Sequence, residues 1–218
     1  MPASDATPAE LAERVAFITG AAHGQGRTIA LALAADGADI VALDVGAELA
    51  YPAYAQGTTA ELESLVAEVQ ALGRRAIPAL ADVRDRAAVE RAVDAAIAEF
   101  GRIDILINNA GIVADAEIEE MTDEAWESMI GINLTGPMVV TRAVVPHMKA
   151  AGRGVIINNS SVMGLRGGNR LSQESNVVPP IAKDGQSAGK IVLHGGPFER
   201  GLLAVDRIQR RQHRLAQQ

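Results

Sequence analysis

The chain has no cysteine among its 218 residues. Disulfide frameworks and thiolate-bound metals are therefore excluded, and a cytoplasmic location is the default expectation. Aromatic residues make up only 3%, with one Trp, three Phe and two Tyr. Both tyrosines, Tyr51 and Tyr54, lie early, so no phenol follows residue 54. No apolar run approaches the roughly 18 residues of a membrane span. The N-terminal MPASDATPAE has neither a basic start nor an apolar stretch, so no secretory signal and no membrane partner are expected. Positive charge is scarce: 20 Lys+Arg against 27 Asp+Glu leave a net charge of −7, which argues against a nucleic-acid partner. The four histidines, His23, His147, His194 and His213, show no metal-ligand spacing, so no metal site is expected.

What is present is alternation. Apolar runs at Arg14–Thr19, Asp39–Asp44, Arg74–Ala81, Ile103–Asn108 and Val155–Asn158 read as strands with little polar interruption, as for parallel strands covered on both faces. Pro78 weakens the third assignment, because proline removes a ladder donor. Helical patterns fill the gaps at Gln25–Asp36, Thr59–Leu72, Arg86–Phe100 and about Asp123–Lys149. Thr58 with Glu61 resembles a capping box. Gly37, Gly73 and Gly101 stand where a left-handed residue ends a helix. The order implies an α/β fold with a doubly wound parallel sheet of Rossmann type. The connection Val45–Gly57 is longer than such units need; it reads first as a surface loop, and alternatively as a flap near the adenosine end of a bound dinucleotide.

Residues Thr19–Gly26 read TGAAHGQG, directly after the first strand and opening the first helix. Gly20 permits a tight turn, while Gly24 and Gly26 allow close backbone approach and close helix–strand packing. The helix start near Gln25 aims free N–H groups and a positive dipole end at phosphate. Asp44 ends the next strand, 18 residues past Gly26. Its carboxylate can accept from an adenosine ribose and would repel a 2′-phosphate, which favours NAD over NADP as cofactor.

The TGxxxGxG spacing resembles the short-chain dehydrogenase/reductase family, and further motifs follow in order. Asp82-Val83 ends the third strand, where the family contacts adenine. Asn108-Asn109-Ala110-Gly111 is similar to the family's NNAG motif. Asn133, within INLTG, resembles its catalytic-helix asparagine, and Ser161, three residues before Gly164, its catalytic serine. The match spans about Leu11 to Gly168. The long insert after Asp44 and the wording GAAHGQGR are similar to the carveol-dehydrogenase-like, mycofactocin-associated subgroup. The resemblance implies hydride transfer between nicotinamide and an alcohol or carbonyl substrate, with Ser161 on the substrate oxygen and Asn133 supporting a proton relay. It also implies cofactor contacts from Gly20, His23, Gly24, Gln25, Gly26, Asp44, Asp82, Val83, Asn109, Ala110 and Gly111.

The resemblance also requires a tyrosine with a lysine four residues later. A phenol of ordinary pKa roughly 10 needs a neighbouring cation to work near neutral pH. Here those positions hold Glu174 and Val178. A solvated Glu174 is the default; its use as a substitute acid/base, or Tyr54 reaching in from the insert, are lesser readings. Charge changes too: residues 1–165 hold 11 Lys+Arg and 23 Asp+Glu, and residues 166–218 hold 9 and 4. The pattern divides the chain into an NAD-binding unit, 1–168, and an atypical tail, 169–218, with the sheet incomplete on its C-terminal side. So abrupt a change points to a frame shift, splice change or replacement. An enzyme, an NAD(H) binder without turnover and an altered product all stay open. An uncovered sheet edge would favour a homo-oligomer unless the tail covers it.

Overall fold

The computed structural model describes residues 10–49, 51–52, 54–113 and 116–160. Five strands, β1 (Val15–Thr19), β2 (Asp39–Asp44), β3 (Ala76–Leu80), β4 (Ile105–Asn108) and β5 (Val155–Asn158), form one parallel sheet in the order β3-β2-β1-β4-β5. Helices α1 (Gly24–Ala35), α2 (Thr59–Ala71), α3 (Arg86–Phe100), α4 (Asp123–Ile130) and α5 (Gly136–Ala150) make the crossovers.

Both sheet faces are apolar because strand side chains alternate. Phe17, Val41, Leu43, Leu106 and Ile156 point to one layer with Val89 and Val93 of α3 and Val140 and Val144 of α5. Ala16, Ile18, Ile40, Ala42, Ile105 and Ile107 point to the other, against Leu33 of α1 and Leu62, Leu65 and Val69 of α2. Burying each large side chain contributes about 1.5–3 kcal/mol. Pro78 is tolerated because β3 pairs only with β2 and is an edge strand among the described residues.

Helix ends follow their sequence signals. Thr58 Oγ1 accepts from the Glu61 amide at 3.2 Å, and Glu61 Oε2 accepts from the Thr58 amide at 2.8 Å, completing the capping box. The bonds from the Thr58 backbone and hydroxyl hold the Glu61 carboxyl below the usual glutamate range. Gly37, Gly73 and Gly101 have φ of 101°, 75° and 74°.

The long helix of the sequence reading is divided. Gly131–Thr135 forms a wide π-helical turn between α4 and α5, a departure from regular helix that tends to mark functional sites. The continuous run Asp123–Ala150 has the length and hydropathy of a membrane span. However, Val139, Val140, Val144 and Met148 are buried, packing the run as a core helix.

Candidate functional site

The strand order reverses at β1, so crossovers leave β1 and β4 on opposite faces and open a crevice beyond their C-terminal ends. A cleft of about 250 Å³ lies there. Its walls include Gly20, His23, Gly24 and Gln25 from the glycine loop, Asp44 at the end of β2, Asp82 and Val83 after β3, and Asn109, Ala110 and Gly111 after β4. Gly26 is the one member of the expected cofactor set outside this lining, and its role is packing. A Cβ there would stand 2.0 Å from the Gly20 carbonyl oxygen and 2.7 Å from Asn109 Nδ2.

The loop is held from below. Thr19 Oγ1 accepts from the amides of Asn109 and Ala110, both at 3.0 Å, and Asn109 Nδ2 donates to the carbonyls of Thr19 at 3.0 Å and Gly20 at 3.1 Å. The Asn109 side chain therefore joins the two sides of the crevice. Above it, Gly24 has φ +56° and a Cβ there would meet nothing within 4 Å. His23 gives α1 no side-chain cap, so the first amides of the helix are left to a ligand or water.

Asp44 is buried, and both carboxylate oxygens are engaged: Oδ2 accepts from the Ala22 amide at 2.9 Å and Oδ1 from the Val45 amide at 2.8 Å. Each oxygen keeps a second lone pair. Asp82 accepts from the Arg84 amide at 2.8 Å, an Asx turn, and from the Arg84 guanidinium at 2.6–3.0 Å. Burial pushes its carboxyl up, but the bonds from the Arg84 side chain and backbone and the guanidinium charge outweigh this and hold it below the usual range.

Asn133 sits in the π-helical turn. Its Oδ1 accepts from the Ile112 amide at 2.9 Å and its Nδ2 donates to the Ile112 carbonyl at 2.8 Å. The side chain thus acts as a strand partner for the segment that follows Gly111. Ser161, Glu174, Val178 and the tail from residue 169 lie outside the described residues.

Sequence reasoning passed over several wall residues. Leu43, Ala81, Ile112 and Ile132 are apolar, with nothing in their type to separate lining from core. Val45, Leu49, Tyr54 and Gln56, from the long connection after β2, also line the cleft. Tyr54 Oη accepts from the Val113 amide at 3.0 Å, linking this connection to the segment after β4. Asn159, outside this lining, donates to Asn109 Oδ1 at 3.0 Å and to Gln25 Oε1 at 2.7 Å, contacts that no local sequence signal shows.

A family model described as short chain dehydrogenase matches residues 14–173. An uncharacterized NAD-dependent oxidoreductase of Mycobacterium tuberculosis is 43% identical over 160 residues, 72% of this chain and 58% of that protein. The (-)-trans-carveol dehydrogenase of Rhodococcus erythropolis is 42% identical over 164 residues, 74% of this chain and 59% of the enzyme. The crystal structure of carveol dehydrogenase from Mycobacterium avium in complex with NAD matches with a TM-score of 0.73 at 40% identity, covering 76% of this chain and 61% of that one. The chain thus spans less than two thirds of the length of these relatives.

Proposed function

Because the chain belongs to the short chain dehydrogenase family, we propose that it binds NAD and serves hydride transfer between nicotinamide and an alcohol or carbonyl carbon. The observation that carries the reading is the cleft at the strand-order reversal, bordered by a glycine loop whose Gly24 leaves open space above an uncapped helix start. Collision-bound Gly20 and Gly26 beside open Gly24 make a cradle that side chains would fill, which fits a diphosphate.

In this reading Gly20, His23, Gly24 and Gln25 hold the diphosphate, and Gly26 lets the loop pack closely beneath it. Asp44 receives the adenosine ribose hydroxyls on its remaining lone pairs, Asp82 and Val83 border the adenine, and Asn109, Ala110 and Gly111 form the floor. Bound NAD supplies the hydride acceptor or donor. Ser161 holds the substrate oxygen. Asn133 supports the proton relay, and since its amide is already committed to Ile112, it does so by keeping the Gly111–Ile112 segment in place. Residues 1–168 form the cofactor unit, with 169–218 a separate tail; cytoplasmic location and self-association through the open sheet edge belong to the same proposal.

A second reading, cofactor binding without turnover, is favoured by one observation: no tyrosine follows Tyr54, and Glu174 and Val178 replace the expected pair. NADH fluorescence titration and a secondary-alcohol oxidation assay separate the two. Turnover lost in Ser161→Ala supports the enzyme; binding with no turnover at any pH supports the binder.

A further inference from the structure

Away from the cleft, one surface carries exposed apolar side chains and unpaired acids together. Trp126 of α4, Leu134 of the wide turn and Met138 of α5 are 44%, 37% and 49% exposed. They lie along one side of a continuous helical run. The most apolar window of that run is only 39% buried. An apolar stripe of this kind with a polar rim marks a surface that something covers. The rim here is acidic: Glu117, Glu119, Glu120, Asp123, Glu124 and Glu127 are exposed, and no Lys or Arg lies within residues 117–138. Elsewhere Glu68, Asp82, Glu90 and Glu99 each pair with an arginine. Glu119, Glu120, Asp123, Glu124 and Glu127 form no ion pair with any described residue.

We propose that this face is a docking surface for the chain's own residues 202–215. That segment complements it twice over. On a 3.6-residue period Leu202, Val205, Ile208 and Leu215 fall within an arc of about 140°, and Arg207, Arg210, Arg211 and Arg214 within an adjoining arc of about 100°. The apolar arc matches the Trp126, Leu134 and Met138 stripe. The arginines match the acidic rim, and Asp206 is the only acid among them. Reach is no limit: the chain from 161 to 201 can span roughly 130 Å when extended. Tethering favours this occupant, since a linked segment acts at an effective concentration of about millimolar. A second copy laid on the same face would instead set one acidic rim against another, a like-charge contact that costs binding.

Trp126 is the single tryptophan of the chain, so its fluorescence reads this face directly. In the full-length chain its emission should be blue-shifted and only weakly quenched by acrylamide, equally at low and high protein concentration. Arg207→Glu, Arg210→Glu, Arg211→Glu and Arg214→Glu together should move the docked-to-open balance at least about tenfold toward open. Emission should then shift red and quenching steepen. Adding Glu119→Arg, Glu120→Arg and Glu127→Arg to that variant should restore protection, with circular dichroism reporting that each protein is folded. Red, readily quenched emission from the unaltered chain overturns the proposal. So does protection that survives the arginine replacements, or a folded re-paired variant that stays open. Protection that fades on dilution identifies a second copy as the occupant and overturns it too. Protection that arises only with vesicles of anionic phosphatidylglycerol assigns the face to a membrane, with the same consequence.

Discussion

Replacing Asp44 by alanine should damage the fold and the cofactor site together, by amounts that can be measured separately. The carboxylate accepts two backbone amides, Ala22 at 2.9 Å in a buried contact and Val45 at 2.8 Å in a half-buried one. Truncation leaves both N–H groups without their acceptor. Each orphaned group costs about 1–3 kcal/mol, the buried Ala22 amide toward the upper end. The total is about 2–4 kcal/mol, which lowers the melting midpoint of a chain this size by about 5–15 °C. Chemical denaturation monitored by circular dichroism reads the first effect. Cofactor titration well below the midpoint reads the second: NAD should weaken more than NADP, because the lost carboxylate no longer accepts from the ribose or repels a 2′-phosphate. A stability change under about 0.5 kcal/mol would refute the hydrogen-bonding account, since loss of a buried acceptor cannot be that cheap. Equal weakening of NAD and NADP would refute the ribose assignment.

Gly26→Ala should destabilise the chain by about 1–3 kcal/mol and weaken cofactor binding, because its Cβ meets the Gly20 carbonyl, a backbone atom that cannot swing aside. Gly24→Ala, measured alongside, should cost only about 1 kcal/mol of left-handed strain. Asp104 is buried and takes the Val15 amide at 3.0 Å together with Arg14, Arg102 and Arg153, so Asp104→Ala should cost about 3–5 kcal/mol in urea denaturation. Because Asp104 precedes β4, at the strand end opposite the cleft, NAD affinity of the folded protein should not change. The lowered pKa of Asp82 means that its contribution to stability is fully present above the ordinary value of 3.8 and is lost as pH falls through the folded value. Arg84→Ala should remove that acid-dependent part, leave burial to raise the Asp82 pKa, and show this in an NMR titration of the carboxyl carbon.

Much of the fold is legible in the residues because local and tertiary preferences agree. The strands alternate onto two apolar layers, the Thr58–Glu61 box needs only neighbouring residues, and the three helix-ending glycines take the conformation their residue type favours. The wide turn at Gly131–Thr135 holds Asn133, whose partner Ile112 lies 21 residues away in the chain and is not shown by any local pattern. Long-range partners also change the meaning of site residues. Asn109 and Asn133 read as cofactor and catalytic groups, yet both spend their side-chain amides on backbone, Asn109 on the glycine loop and Asn133 on the segment after β4. Apolar wall residues such as Leu43 and Ile132 stay invisible to any reading by residue type. The amide chain from Asn109 through Asn159 to Gln25 joins three separate segments and emerges only in three dimensions.

The most direct test of the central claim is a calorimetric titration of the folded chain with NAD and, separately, with NADP. One saturable site for NAD, with NADP clearly weaker, is expected from the open Gly24 cradle and the Asp44 carboxylate. Well-folded protein that releases no heat with either dinucleotide would contradict it.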